Sequence, residues 1–509
     1  MTASGATAAP SVIDVIAQVL SRWPERTALV EADSGQAWTY SELERAVASW
    51  RAYFAECGLR PGDGVALFSD NCPQIIAAML GVITAGLRYT ALHPLVSVDD
   101  LLFVVEDAGI SALIFHGGFR DDATEAARRQ QPKLHFLDIE RVSEYASDFG
   151  VANVSNAVVD EDAVAMLTYT GGTTGRSKGV IQTHRTVLQC FLLELADWPW
   201  PHAPRFLSAT PLSHGARQIV LPVLWHGGSL TVTAGTHNLG DVVRAHYIDA
   251  TFIVPSILYR ILDGDYGPDS NFASLKMVIY GGGPISPDRL REAVGRFGPI
   301  FTQLYGQAEA PATIATLRPE DHDPNRPHLF ASCGRPTPTT VVELLGSDGE
   351  PVPTGEVGEI CVRGRLVMGG YWKRPEETSD AFADSWLHTG DLASRDADGY
   401  LYIVDRKKDM IVTGGSNVFS REVEDALMSH VDVLVAAVVG VPDPVWGEAV
   451  TAAVVRRPDT DVTEAQLREL VRSKKGPVHS PKRVVFVDAL PLTGLGKPDK
   501  RQIRALLEA

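Results

Sequence analysis

A stretch rich in glycine and threonine stands about a third of the way along the chain. It reads LTYTGGTTGRSKG (residues 167–179) and follows an apolar run. Glycines let backbone N–H groups wrap an anion, threonine hydroxyls add donors, and Lys178 adds a positive charge. The spacing GxxxxGK[ST] of the P-loop is absent. By residue type alone the stretch is either a phosphate-binding loop or a flexible surface loop.

Other segments further along the chain also carry residues suited to phosphate or metal chemistry. Glu309 offers a carboxylate of the kind that a hard cation prefers, and Lys497 offers a cation for a negatively charged transition state. Each has a plainer interpretation when taken alone: a solvated acid and a surface lysine. The segments are YGGGP (280–284), YGQAE (305–309), WLHTGD (386–391), YIVDRKKD (402–409), GGSNVFSREVE (414–424) and PLTGLGKPDK (491–500).

Taken in this order, the motifs resemble those of the adenylate-forming superfamily, which includes acyl-CoA synthetases, peptide-synthetase adenylation domains and beetle luciferases. The resemblance runs from about residue 10 to 505. It implies an enzyme that joins a carboxylic acid to ATP as an acyl-adenylate and then forms a thioester with coenzyme A, using ATP, Mg²⁺ and coenzyme A. The chain departs from the usual pattern at Gly171, Ser177, Ala308, Ser420 and Lys500.

The resemblance also implies which residues bind the nucleotide. Thr170, Glu309 and Lys497 are the expected catalytic residues, and Thr170 and Glu309 are the expected metal ligands. Tyr305 is expected against adenine, and Asp391 and Arg406 on the ribose. The full expected ATP and AMP site is Thr170, Gly171, Gly172, Thr173, Thr174, Lys178, Gly281, Gly282, Gly283, Tyr305, Gly306, Gln307, Asp391, Arg406 and Lys497.

The segment PLSHGARQ (211–218) resembles the part of the family that lines the acyl pocket. His214 stands where amino-acid-activating relatives carry an aspartate, so we expect an acid without an α-amino group, of the hydrophobic alkyl, aryl or polycyclic kind. His214 could pack at the pocket mouth or act as a base. Arg217 could bind a polar group of the substrate or form a salt bridge on a helix, and we expect the latter. The expected pocket is His214, Ala216, Arg217, Ile219, Val254, Gly282 and Ala308.

The C-terminal part resembles the mobile domain of the family. The resemblance implies a large domain over 1–405, a lid domain over 406–509 and a hinge at Lys408. After adenylation the lid would turn and exchange Lys497 for the Gly414–Gly415 loop. The expected coenzyme A tunnel is Gly414, Gly415, Ser416 and Trp446. Two other functions stay open: loading of a separate carrier protein, or an inactive nucleotide-binding relative with a regulatory role. The intact Lys178, Glu309 and Asp391 speak against the inactive relative.

Helical and strand patterns alternate along the first two thirds of the sequence. Apolar runs at 64–68, 112–115, 229–234, 251–255 and 276–282 predict strands, and 73–86 predicts a helix. Ser41 and Glu44 have the spacing of a capping box that would begin a helix ending near Gly58. The pattern predicts an α/β fold: a large N-terminal domain of stacked αβ sheets, a β-subdomain after about residue 340, and a small mobile α+β C-terminal domain.

Length and composition agree with a multidomain enzyme of the cytoplasm. The chain has 509 residues and a net charge of −17, which disfavours broad binding to nucleic acid or to an anionic membrane. Its five cysteines show no CxxC pair and are expected to be free thiols. No secretory signal or membrane-spanning stretch is expected. The expected partners are a small carboxylic acid and coenzyme A.

Overall fold

The computed structural model describes residues 11–131, 133–140, 157–170, 177–236, 238–492 and 498–508. Within these residues the α-helices, in chain order, are α1 Val12–Arg22, α2 Tyr40–Glu56, α3 Pro73–Thr84, α4 Val98–Asp107, α5 Asp121–Gln130, α6 His184–Asp197, α7 Val220–Trp225, α8 Leu239–Ala245, α9 Pro255–Leu262, α10 Pro287–Phe297, α11 Pro375–Ala381, α12 Ser420–Met428, α13 Glu464–Lys475 and α14 Lys500–Glu508. The strands are β1 Thr27–Glu31, β2 Ala37–Thr39, β3 Gly64–Phe68, β4 Arg88–Leu92, β5 Ile110–Phe115, β6 His135–Asp138, β7 Val164–Thr170, β8 Lys178–Thr183, β9 Arg205–Ser208, β10 Ser229–Val232, β11 Ala250–Ile253, β12 Met277–Gly281, β13 Phe301–Gln307, β14 Ala310–Leu317, β15 Arg335–Pro336, β16 Val341–Leu345, β17 Gly358–Arg363, β18 Phe382–Ala383, β19 Trp386–Arg395, β20 Leu401–Arg406, β21 Ile411–Thr413, β22 Ser416–Val418, β23 Val433–Asp443, β24 Gly447–Arg456 and β25 Arg483–Phe486.

Two large sheets form the first part of the chain, and most of their strands run parallel. One has the order β15-β14-β13-β12-β11-β9-β10-β1-β2, and the other has the order β6-β5-β3-β4-β7-β8. Every residue of β3 and of β12 is buried. Strands that are covered by helices on both faces need such continuous apolar runs. The predicted α/β fold class is confirmed.

The predicted start of helix α2 is wrong by two residues. Thr39, not Ser41, is the N-cap, and its hydroxyl accepts from the backbone N–H of Glu42 while the Glu42 carboxylate accepts from the Thr39 N–H. Both pairs have the spacing of a capping box, so spacing alone could not separate them. The burial of Tyr40 favours Thr39 as the N-cap, because Tyr40 is then the first residue of the helix. Its side chain is fully buried and its hydroxyl donates to the Leu224 carbonyl at 2.9 Å.

Two smaller sheets follow, as the change of sequence pattern after residue 340 predicts. Strands β16 to β20 form one of them, and strands β21 to β25, covered by α12 and α13, form the other. Strand β20 ends at Arg406 and strand β21 begins at Ile411. The division that the sequence predicts, between residues 405 and 406, falls at the last residue of β20, and it stays a prediction.

Cysteine pairing and membrane spans can be compared with the sequence directly. All five cysteines lie within the described residues and none is in a disulfide, as expected. No helix of the described ranges is long and apolar enough to cross a membrane.

Candidate active site

Several of the residues that the sequence assigns to the nucleotide lie at or near the ends of strands with parallel neighbours. Strand β7 leads into the glycine-rich stretch, β12 ends at Gly281, and Tyr305 lies near the end of β13. Ligands of α/β folds bind beyond the carboxyl ends of such strands. One contact joins the two sheets at this level: the side-chain amide of Gln182 on β8 donates to the Ala308 carbonyl at 3.1 Å.

Tyr371 connects the predicted phosphate-binding lysine to the predicted metal ligand. Its hydroxyl donates to Glu309 Oε1 at 2.8 Å, and Lys178 Nζ lies 5.2 Å from the centre of its ring. Burial, and then the charge of Glu309, raise the pKa of Tyr371, so this hydroxyl keeps its proton. Tyr371 belongs to none of the motifs recognised in the sequence, although the preceding glycine pair 369–370 is a signal of close backbone packing.

Three residues from separate motifs meet at the carboxylate of Asp391, which is buried. Tyr305 donates its hydroxyl to Asp391 Oδ2 at 2.7 Å, and Arg406 Nε lies 3.1 Å from Asp391 Oδ1. Asp391 and Arg406 are register partners on β19 and β20. Each carboxylate oxygen still has a lone pair, so Asp391 can accept from two further hydroxyl groups. A ribose offers such a pair of hydroxyls.

The glycines after β12 leave room for a flat ligand close to the backbone. A Cβ on Gly281 would lie 2.6 Å from the Leu304 carbonyl oxygen, so no larger residue fits there. Gly282 has φ +76°, a left-handed conformation that favours glycine. Val254 is the nearest side chain to Gly282, 4.0 Å from where its Cβ would be. The structure therefore brings these predicted residues of the adenine site and the acyl pocket together.

His214 lies at the start of the short helical turn 215–219, next to a second histidine. Its ring makes an edge-to-face contact with His93, with the ring centres 5.2 Å apart, and its Nδ1 lies 2.9 Å from Ser213 Oγ. Ala216 and Ile219 are buried on the same turn. The sequence analysis missed His93, which follows β4 without any recognisable motif.

The salt bridge expected for Arg217 is wrong. Arg217 is only 5% exposed, and its guanidinium donates to the Ser213 carbonyl at 3.0 Å and to Thr168 Oγ1 at 2.6 Å. No carboxylate of the described residues lies within ion-pair distance. The turn 215–219 directs this side chain into the protein rather than along a helix surface, which a helical spacing rule could not anticipate.

The residues predicted for the coenzyme A tunnel are neighbours in the C-terminal part. Gly414 and Gly415 have φ +56° and +77°, and Ser416 begins β22 directly after them. The Gly414 N–H donates to the Trp446 carbonyl at 2.8 Å, and a Cβ on Gly414 would lie 2.9 Å from the indole ring. The Trp446 side chain remains exposed, so it is available to a ligand.

The predicted hinge is framed by anchored residues on both sides. Lys407 Nζ lies 3.0 Å from the carboxylate of Glu359 on β17. The pKa of Lys408 is lowered by its burial and, to a smaller extent, by the charge of Arg406. Asp405, on β20, accepts from both the backbone N–H and the hydroxyl of Ser420, on α12. A proline at position 420, usual in the resembling family, has neither donor, so this link depends on the serine.

Comparison with known proteins identifies the family. A family model described as AMP-binding enzyme matches residues 16–372, and one described as AMP-binding enzyme C-terminal domain matches residues 422–497. This chain belongs to the AMP-binding enzyme family. The first match contains Lys178, Tyr305 and Glu309, so these residues of the AMP-binding enzyme lie inside the matched part of the family.

Named relatives match along nearly the full chain. A medium/long-chain-fatty-acid–CoA ligase of Mycobacterium tuberculosis is 45% identical over 489 residues, which is 92% of this chain and 85% of the relative. An amide bond synthetase from Marinactinospora thermotolerans has a TM-score of 0.88 at 32% identity, covering 97% of this chain and 99% of that one. The o-succinylbenzoate CoA synthetase from Bacillus subtilis, solved with its acyl-adenylate intermediate, has a TM-score of 0.85 at 26% identity, covering 96% and 97%.

Some of the predicted residues of this AMP-binding enzyme lie outside the described residues. They are Gly171, Gly172, Thr173, Thr174 and Lys497. Thr170 and Lys178 border the glycine-rich stretch and pair with each other across β7 and β8. The individual roles of all these residues stay predictions.

Replacing Tyr305 by phenylalanine is expected to weaken ATP binding without removing the ribose site. The substitution takes one hydrogen bond from Asp391 and leaves the contact with Arg406. A hydrogen bond to a charged group contributes about 1.5 kcal/mol, so we expect the KM for ATP to rise about tenfold. Steady-state kinetics would check this, with Tyr266→Phe, whose hydroxyl contacts Thr236 Oγ1, as the control. An unchanged KM for ATP would contradict the role of Tyr305.

Proposed function

We propose that this enzyme activates a hydrophobic carboxylic acid with ATP as an acyl-adenylate and transfers the acyl group to coenzyme A. The observation that carries the proposal is the cluster of Tyr305, Asp391 and Arg406, which provides a buried carboxylate for the ribose beside the predicted hinge. The names of the relatives, a fatty-acid–CoA ligase and a CoA synthetase with a bound acyl-adenylate, support the same chemistry.

In the first half-reaction the substrate carboxylate attacks the α-phosphate of ATP and pyrophosphate leaves. A carboxylic acid is ionised near neutral pH, so no base is needed for this attack. We propose that Thr170 and Lys178 hold the phosphates that leave, while Asp391 and Arg406 hold the ribose. Positioning of the two reactants and neutralisation of charge then supply most of the rate enhancement.

The described residues suit Mg²⁺ that arrives with ATP rather than a resident metal. No group of three or more histidine, cysteine, aspartate or glutamate side chains in the described ranges could hold a metal ion alone. Mg²⁺ bound to a nucleotide needs only one or two carboxylates besides the phosphates. We propose that Glu309 supplies one: Oε1 accepts from Tyr371, and Oε2 has no hydrogen-bond partner within the ranges that the structure describes. When bound, Mg²⁺ would neutralise phosphate charge.

In the second half-reaction a thiol replaces AMP on the acyl group. We propose that Gly414, Gly415 and Ser416 line the approach of the thiol and that Trp446 packs against the pantetheine arm. Glycines with positive φ let a narrow chain pass close to the backbone. A carrier protein would present the same kind of thiol, so it is the alternative acceptor. ATP and coenzyme A as substrates fit an enzyme of the cytoplasm.

A screen for pyrophosphate release would test the proposed function. The purified enzyme is given ATP and Mg²⁺ with a panel of alkyl, aryl and polycyclic acids, with and without coenzyme A. We expect acid-dependent release of pyrophosphate, and an acyl-CoA product only where coenzyme A is present. A holo-carrier protein replaces coenzyme A in a parallel reaction. If none of the acids in the panel triggers release of pyrophosphate, acid activation is refuted. If a thioester forms with the carrier protein and not with coenzyme A, coenzyme A is refuted as the acceptor.

A further inference from the structure

A cavity lies behind the predicted acyl pocket, between helices α3 and α6, strands β7 and β8 and the turn 215–219. Its wall is mostly apolar, with side chains such as Met79, Ile83, Met166, Phe191 and Leu221. A wall of this kind accepts the carbon skeleton of a hydrophobic ligand. None of these five residues belongs to the acyl pocket that the sequence predicts.

Polar side chains with open hydrogen-bonding atoms also line this cavity. Both carboxyl oxygens of Glu194, Nε of Arg217 and Oε1 of Gln218 are buried without a hydrogen-bond partner among the described residues. Glu194 is 0% exposed and Arg217 is 5% exposed. A buried polar group without a partner costs about 1–3 kcal/mol. Several of them around one cavity indicate a place for a polar ligand group.

Arg217 is fixed so that one donor stays open. Its Nη1 donates to the Ser213 carbonyl at 3.0 Å, and its Nη2 donates to Thr168 Oγ1 at 2.6 Å. These acceptors are neutral and hold the guanidinium without cancelling its charge. A buried charge that lacks a counter-ion favours a ligand atom with a negative partial or full charge.

Glu194 complements this donor, although it is a carboxyl group. It lies on the same face of α6 as Cys190, one helical turn earlier, and both line the cavity. Burial raises the pKa of Glu194 well above its usual range, which favours the neutral carboxyl over the charged form. A neutral carboxyl can donate one hydrogen bond and accept others. The cavity thus offers two donors and the Oε1 acceptor of Gln218.

The cavity adjoins the predicted acyl pocket directly. Arg217 follows Ala216 on the turn 215–219, and both belong to that pocket by resemblance. The side chain of Gln182 donates to the Ala308 carbonyl at 3.1 Å, and its Oε1 lies 3.5 Å from Arg217 Nη2. An acyl chain that passes Ala216 and Ala308 would therefore enter the cavity that Arg217 and the apolar side chains line.

We propose that this cavity binds the far end of the acid, and that the acid carries an oxygen function there: a ketone, a hydroxyl or a second carboxyl group. This inference rests on the proposed function and names the substrate class of the same site. The oxygen accepts from Arg217 Nε and faces the carboxyl of Glu194, while the apolar wall contacts the last carbon atoms of the acid.

Matched pairs of acids test the proposal on the unmodified enzyme. The two acids of a pair have the same chain length. One is a plain alkanoic acid, and the other carries a ketone, a hydroxyl or a carboxyl group at the far end. Pyrophosphate release and acyl-CoA formation give kcat/KM for each acid. We expect at least one oxygenated acid to exceed its alkanoic partner about tenfold or more, because a site built for a polar group rejects the analogue that lacks it.

Two substitutions of Glu194 separate recognition from structural support. Glu194→Leu removes the polar atoms at similar volume, and we expect the preference for the oxygenated acid to fall about tenfold. Glu194→Gln keeps a donor and an acceptor and should retain most of the preference. Thermal unfolding is followed for each variant. A structural role alone would lower kcat/KM for both members of a pair equally and would overturn the proposal.

The outcomes for the unmodified enzyme distinguish the two proposals. If alkanoic acids react as well as every oxygenated partner, the inference about the cavity is wrong and acid activation stands. If no acid of either kind releases pyrophosphate, the proposed function itself fails. Neither result depends on a variant that folds poorly.

Discussion

Replacing Lys497 by alanine is expected to abolish formation of the acyl-adenylate while sparing the transfer of the acyl group to coenzyme A. The resemblance places this lysine on the acyl carboxylate and the α-phosphate during the first half-reaction only. Removing one preorganised charge-stabilising donor lowers kcat by about 10²–10³-fold, and a full cation in a water-excluded site should exceed that. We expect a loss of about 10³-fold or more in acid-dependent pyrophosphate release.

The flanks of the segment that contains Lys497 are held in the described structure. Leu492 and Pro498 form a β-bridge, and the N–H of Asp499 donates to the Pro491 carbonyl at 2.9 Å. The alanine substitution leaves these backbone contacts in place. The variant should therefore fold, and its loss of rate should report on the missing charge.

Two measurements separate the half-reactions for the Lys497 variant. Pyrophosphate release reports adenylation, and acyl-CoA formation from a supplied acyl-adenylate reports thioester formation. Arg501→Ala, at an exposed position of α14, is a matched control that removes a nearby positive charge. Equal loss of both half-reactions in the Lys497 variant would contradict its assignment to adenylation.

The sequence predicts the parts of the site that depend on ordered motifs. Tyr305, Asp391 and Arg406 are separated by up to a hundred residues, yet each could be assigned from its own motif, and the structure brings them together. The alternation of elements likewise predicts the fold class, because buried parallel strands need short apolar runs between helices. What could be predicted is therefore what a local pattern encodes.

Contacts that arise only from packing could not be predicted. The segment after Met368 runs beside β8, and the N–H of Met368 donates to the Glu309 carbonyl at 2.8 Å. This packing brings the Tyr371 hydroxyl to the carboxylate of Glu309. Arg217 turns inward because a short helical turn replaces the regular helix that the sequence suggests. Neither Tyr371 nor Arg217 stands in a local pattern that predicts its contacts. Their contacts with Glu309 and Thr168 join residues that are distant in the sequence and adjacent only in the folded chain.

At the predicted hinge, one departure from the family motif adds a contact between two elements of the chain. Ser420 donates twice to Asp405, and Lys500 lies 3.0 Å from Glu424 on the same helix as Ser420. If the lid turns about Lys408, the contact between β20 and α12 must break or move. If it does, this link stabilises the orientation seen here, in which Ser420 contacts Asp405.

Replacing Lys408 by proline is expected to leave adenylation near its normal rate and to slow acyl transfer to coenzyme A about a hundredfold. Proline fixes φ near −65° and restricts the residue before it, so the backbone can no longer supply the rotation expected at this position. Adenylation needs one orientation of the lid, whereas the full cycle needs both.

The matched control for the hinge is Lys408→Ala, which removes the same side chain and leaves the backbone free to turn. Pyrophosphate release in a single turnover measures the first step, and acyl-CoA formation at saturating coenzyme A measures the second. The alanine variant should keep both rates within a few-fold of normal, so that a loss confined to the proline variant reports on backbone rotation. Normal acyl-CoA formation by Lys408→Pro would show that the lid does not turn at this residue.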